Sequence, residues 1–93
     1  MDEHHYKVHQ LGKKYGLDIL KSTRKNKKYM YIHPITKSVI HFGDNRYEDY
    51  ITHNDLNRRH KFRKRAEGLL LNNGIRAIDK KYSPAWASYN ILW

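Results

Sequence analysis

Two short runs rich in aromatic and β-branched residues, Lys27-Lys28-Tyr29-Met30-Tyr31-Ile32-His33 and Ser38-Val39-Ile40-His41-Phe42, are separated only by Pro34-Ile35-Thr36-Lys37. Residues of these types fit a pleated, half-buried surface, and two such runs with a Pro-containing connection specify an antiparallel β-hairpin. Gly43-Asp44-Asn45 ends the second run with turn chemistry. A period of two puts Tyr29, Tyr31 and His33 on one face and Met30 and Ile32 on the other. Both faces carry apolar bulk, so one is expected to meet helices and the other to be partly covered.

The segment from Gly43 to Thr52 reads as a polar loop carrying Tyr47 and Tyr50. Thr52, Asn54 and Asp55 are candidate caps for a helix over residues 55–71, which Asn72-Asn73-Gly74 would stop. Leu56, Phe62, Ala66, Leu69 and Leu70 give that helix an imperfect apolar stripe. Ser83-Pro84, a capping residue before a proline at the first helical position, opens a short last element with Trp86, Tyr89, Asn90 and Trp93 at helical spacing. Upstream, Tyr6, Val8, Leu11 and Tyr15 suggest a short helix ended by Gly16, with a flexible arm as the other reading; residues 17–21 are ambiguous for a strand. The expected fold is α+β: a two- or three-stranded antiparallel sheet with its hairpin at 27–42, packed on a basic helix at about 55–71 and a short aromatic C-terminal helix. Residues 1–26 are expected to be an N-terminal extension, short helix or arm, to a compact domain at 27–93.

Length and composition bound the function. A chain of 93 residues without cysteine is one domain, near the low end of what buries its own core, with no disulfide or thiolate metal site to help it. Nineteen Lys and Arg against nine Asp and Glu give a net charge of +10, which implies a polyanionic partner, nucleic acid first. Eight Tyr, two Phe and two Trp require burial or stacking and so exclude a disordered basic tail. No apolar run reaches the roughly 18 residues of a membrane span. Met1-Asp2-Glu3-His4-His5 has none of the apolar core of a signal peptide, so no membrane insertion or secretion is expected.

The cations are concentrated. Arg58-Arg59-His60-Lys61-Phe62-Arg63-Lys64-Arg65 contains six permanent positive charges and no acid. At about 100° per residue, Arg58, Lys61 and Arg65 fall on one broad side of a helix and Arg59 and Arg63 on another. The competing reading is a solvated face locally paired to acids, as in Asp55 to Arg59. A second patch, Lys21, Arg24, Lys25, Lys27 and Lys28, precedes the hairpin; Tyr29 and Tyr31 beside it could form a stacking surface for single strands, or be core. Polyanion contacts are assigned to Arg58, Arg59, Lys61, Arg63, Lys64, Arg65, Lys25, Lys27 and Lys28. Trp86, Tyr89 and Trp93 are aromatic anchors, for closing the core or docking a partner, and core closure is favoured because large aromatics bury so much area. Seven histidines raise the possibility of a metal site at His53, Asp55 and His60, but their spacing matches no known ligand pattern. No catalytic residue, metal, cofactor or small-molecule substrate is assigned, and the chain is expected not to be an enzyme.

Residues 27–93 also carry Lys28-Tyr29, His33-Pro34, Phe42-Gly43-Asp44, Tyr47-Glu48-Asp49-Tyr50-Ile51-Thr52-His53-Asn54-Asp55, Arg58-Arg59, Ser83-Pro84-Ala85-Trp86-Ala87-Ser88 and Leu92-Trp93. In this order the segments resemble a family of small, basic, functionally uncharacterised proteins of large (giant) DNA viruses and tailed phages. Two departures are Ala87 between Trp86 and Ser88, and Lys37 in place of a turn glycine. The resemblance implies a virus or phage setting, in the virion or the host cell interior. The expected function is a non-enzymatic minor capsid or core component touching other virion proteins or the packaged genome. The alternative is a nucleic-acid-binding protein acting in genome compaction, transcription or replication in the infected cell.

Overall fold

The computed structural model describes all 93 residues. Helix α1 (Glu3–Lys13) starts at Asp2, whose carboxylate accepts the His5 N–H at 2.8 Å. Strands β1 (Leu20–Lys21), β2 (Lys27–Ile32) and β3 (Val39–Asp44) form an antiparallel sheet in that order. Tyr29 pairs with Phe42 and Tyr31 with Ile40, so the period of two places these four side chains on one face. Helices α2 (Tyr50–His53) and α3 (Leu56–Glu67) follow, then a 3₁₀ turn (Ala77–Asp79). Helix α4 (Pro84–Ala87) runs directly into a π-helical turn (Ser88–Leu92).

The α+β class read from the sequence is the architecture observed. One face of the sheet is core: Tyr29, Tyr31 and Phe42 are buried together with Val8 of α1, Leu17 and Ile19 after it, and Trp86, Ala87, Ile91 and Leu92 of the last helix. The other face is open, with Leu20, Ile32 and Val39 exposed.

Residues 1–26 are part of this core instead of an extension beside it. The apolar spacing of α1 is sparse because two of its buried positions are His5 and Gly12. His5 Nε2 lies 2.8 Å from the Ile19 carbonyl oxygen and donates to it. Gly12 lets Ile19 press against the helix; a Cβ there would stand 2.9 Å from Ile19 Cδ1.

The last helix reaches the sheet across Gly43. That residue has φ +78°, and a Cβ on it would lie 2.8 Å from Leu92 Cδ1 and 3.2 Å from Lys28 Cβ. Left-handed backbone costs an L-residue about 1–2 kcal/mol, and the overlap adds to it. Gly43→Ala is therefore expected to lower the thermal midpoint by roughly 10 °C, measured by circular dichroism. An unchanged midpoint would mean that the last helix does not bear on this turn. Lys37, which stands in place of a turn glycine, occupies the left-handed region, at φ +64°.

Two boundaries differ from expectation. The basic helix ends at Glu67 with Gly68 as its cap, not at residue 71. Asn72-Asn73-Gly74 turns the chain back on itself instead, with the Leu71 N–H donating to the Ile75 carbonyl at 2.8 Å. The end of the expected loop belongs to α2, whose cap is Asp49.

Candidate nucleic-acid interface

Helix α3 is capped by Asp55, whose Oδ1 accepts from the N–H groups of Asn57 and Arg58 at 3.0 and 3.2 Å. Asp55 acts on the backbone, so the pairing with Arg59 considered from the sequence does not form. No residue of α3 is buried. It packs against α2, the 3₁₀ turn and the end of the last helix. Phe62 stacks on Trp93 with centroids 4.3 Å apart and planes 9° from parallel. Arg59 Nε donates to the Trp93 carbonyl at 2.7 Å and its guanidinium lies 4.8 Å from the Tyr50 ring centroid. Arg63 Nη1 donates to the Tyr89 carbonyl at 3.3 Å, with its guanidinium 3.9 Å above that ring. The Tyr89 hydroxyl donates to Glu67 at 2.5 Å, and this bond, with some burial, raises the hydroxyl above its ordinary pKa.

The other side of α3 faces the hairpin across a cleft of about 770 Å³. Arg58, Lys61 and Arg65 line one side and Lys27 and Lys28 the other, beside Asp44, Glu48 and Asp49, of which Asp44 and Asp49 are paired to Arg46 and Lys28; Phe62, Ala66, Leu69, Leu92 and Trp93 contribute apolar surface. The angular split read from the sequence is thus the split the fold makes: Arg59 and Arg63 hold the helix in place, whereas Arg58, Lys61 and Arg65 face open space.

Lys28 is also removed from the free cations. Its Nζ donates to Asp49 Oδ2 at 2.6 Å, and the Asp49 side chain is only 2% exposed. The same carboxylate accepts from His4 Nε2, 3.1 Å from either oxygen, and from the Thr52 N–H at 3.2 Å. His4 Nδ1 is bonded in turn to the Tyr29 hydroxyl. Burial works to raise the Asp49 pKa, but the Lys28 ammonium and the His4 ring outweigh it and hold the carboxyl below the ordinary range. Burial, chiefly, pushes the Tyr29 hydroxyl far above its usual value, so that it stays protonated.

Of the nine cations assigned to polyanion contact, Lys28, Arg59 and Arg63 are therefore engaged inside the protein. Lys27, Arg58, Lys61 and Arg65 line the cleft without an ion pair. Lys25 lines an adjoining, more polar cleft of about 720 Å³ with Lys21 and Arg24. Lys64 is exposed on α3 and lines neither cleft.

The aromatic assignments divide as well. Trp86 is buried in the core, its ring edge-on to Tyr15 and Tyr82, while Tyr89 and Trp93 hold α3; all three serve the fold. Tyr29 and Tyr31 are 3% and 1% exposed, which excludes them as a stacking surface. The exposed aromatic beside the basic patch is Tyr47, in the loop after the hairpin, at 67% exposure. Strand position cannot reveal this; the only sequence signal is a tyrosine among turn-forming polar residues.

His53, Asp55 and His60 do not converge. His53 Nδ1 accepts the Asp55 N–H at 2.9 Å, its ring packs against Trp93, and no group of three or more His, Asp or Glu has metal-holding geometry. No helix is long and apolar enough to cross a membrane.

No curated protein and no solved structure matches the chain. A family model does match, over residues 17–66, a span that contains all three strands, α2 and most of α3, and with them the cations on both sides of the cleft. The chain belongs to that family, a family of unknown function designated DUF5754.

Proposed function

We propose that this protein is a non-enzymatic structural component that holds a nucleic-acid backbone in the cleft between α3 and the hairpin. In this reading it is a minor capsid or core protein of a virus or phage particle, placed against the packaged genome. The sorting of the cations carries the proposal. Those that stabilise the fold are paired or bonded to carbonyls, while Lys27, Arg58, Lys61 and Arg65 stand unpaired on the two sides of one groove. Unpaired like charges held together on a rigid scaffold repel one another, and an arriving polyanion relieves that repulsion. The chemistry requires no cofactor and no small-molecule substrate.

Four neutralised phosphates give a log–log salt slope of about −3.6 on duplex or about −2.8 on a single strand. A titration of the purified protein against labelled nucleic acid at several salt concentrations measures it, and salt-independent binding or none would reject the cleft. The particle setting rests on the family resemblance of residues 27–93. It is tested separately, by mass spectrometry of purified particles against infected cells. Expression in cells with absence from particles would favour a role in genome compaction, transcription or replication through the same cleft.

A further inference from the structure

The two basic clefts meet at a ridge, and that ridge decides which form of nucleic acid suits the surface. Lys27, Lys28, Tyr47 and Glu48 line both clefts. Lys28 is paired to Asp49, which leaves unpaired Lys27, an exposed tyrosine and an unpaired carboxylate between two banks of cations. Glu48 offsets the charge of Lys27 on the ridge, which leaves the aromatic ring, favouring the face of a base, as its distinguishing feature. The other exposed aromatic, Tyr6, lines neither cleft.

The loop is braced before any ligand arrives. The Tyr47 N–H donates to the Asp44 carbonyl at 3.2 Å, and Asn45 Nδ2 donates to the Lys25 carbonyl at 2.6 Å. Arg46 Nη2 and Nε donate to the two oxygens of Asp44 at 2.8 and 3.0 Å, and its guanidinium lies 5.9 Å from the Tyr47 ring centroid. A loop braced in this way loses little backbone freedom when a base stacks on the ring it presents.

Building on the function proposed above, we infer that the ligand is single-stranded nucleic acid running from one cleft to the other, with one base stacked on Tyr47. Its phosphates meet Arg58, Lys61 and Arg65 on one side of the ridge and Arg24 and Lys25 on the other, Lys21 being paired to Asp2, so the single-strand salt slope is steeper than that of the four cleft cations alone. The bases of a duplex are stacked on each other and cannot reach the ring.

The test is fluorescence anisotropy with a labelled oligothymidylate of about 12 nucleotides and a hairpin duplex. Wild type is compared with Tyr47→Ala and Tyr47→Phe, both checked for an unchanged melt. Wild type is expected to prefer the single strand. Tyr47→Ala should weaken single-strand binding roughly 5- to 150-fold without altering the salt slope. Tyr47→Phe should bind like wild type, and duplex binding should be the same in all three. Salt-dependent binding in which Tyr47→Ala keeps wild-type affinity, or in which duplex binds more tightly, overturns the stacking proposal and leaves the cleft standing. Absence of binding to either probe overturns both.

Discussion

A chain cut before Ser83 is expected to lose its circular-dichroism signature and its cooperative melt, not to survive as a folded domain lacking a docking element. The removed segment supplies Trp86, Ala87, Ile91 and Leu92, four of the ten residues in the core cluster, exposed by 7, 0, 2 and 1%. Truncating one large buried aromatic to alanine costs about 3–5 kcal/mol, against a total stability of about 5–15 kcal/mol for an ordinary domain. The cut also removes Trp93 and Tyr89, the surfaces on which α3 docks. Trp86→Ala is the milder version and should be severely destabilised, with a broad melt or none. A truncated protein that stays monomeric and melts cooperatively would return the last helix to the role of a partner anchor.

Replacing Asp49 by alanine is the second large effect. It strips the buried partner from Lys28 and His4 and removes the cap of α2 in one step. Leaving an uncompensated charge in place of a buried pair costs about 3–5 kcal/mol. The Lys28 side chain is 15% exposed and can turn toward cleft water, so the lower end, about 3 kcal/mol, is expected. The same group sets an acid limit. The folded carboxyl holds its proton less readily than the unfolded one, so its stabilisation is complete above about pH 4. It fades as the pH falls through the folded value. Asp2 and Asp44 are held down to about 2 by Lys21 and Arg46, but both pairs are solvent-exposed and screened, and they contribute little. Asp49→Asn should therefore flatten the acid limb of a stability–pH profile measured by chemical denaturation. If that limb persists unchanged, the acid sensitivity lies elsewhere.

The sequence discloses those features whose cause is local. Period two in residues 27–42 puts Tyr29 and Tyr31 on one face, and Pro34 to Lys37 marks the turn between the two strands. Helical geometry separates Arg58, Lys61 and Arg65 from Arg59 and Arg63 without any tertiary information. What escapes the sequence is set by contacts between distant residues. His5 and Gly12 give no apolar signal, yet both place α1 on Ile19, so residues 1–26 read as an appendage. Lys28 looks like any cation of its patch until the fold brings Asp49 to it, 21 residues on. Tyr29 and Tyr47 are the same residue type a short distance apart, and only the packing of α1 and α4 decides that the first is core and the second is surface. The helix end at Gly68 was obscured by the stronger stop signal at Asn72-Asn73-Gly74, which the chain uses for a different turn.

The division of α3 into a holding face and a presenting face is the central claim, and one paired measurement tests it. Arg58, Lys61 and Arg65 are changed together to Gln in one variant, and Arg59 and Arg63 in another; nucleic-acid affinity is followed against salt, and stability by thermal melt. The first variant should melt like wild type and lose roughly 2 to 3 units of log–log salt slope. The second should melt at a lower temperature and, where folded, keep the wild-type slope. The reverse assignment, with the slope falling in the Arg59/Arg63 variant and unchanged in the other, would contradict the account.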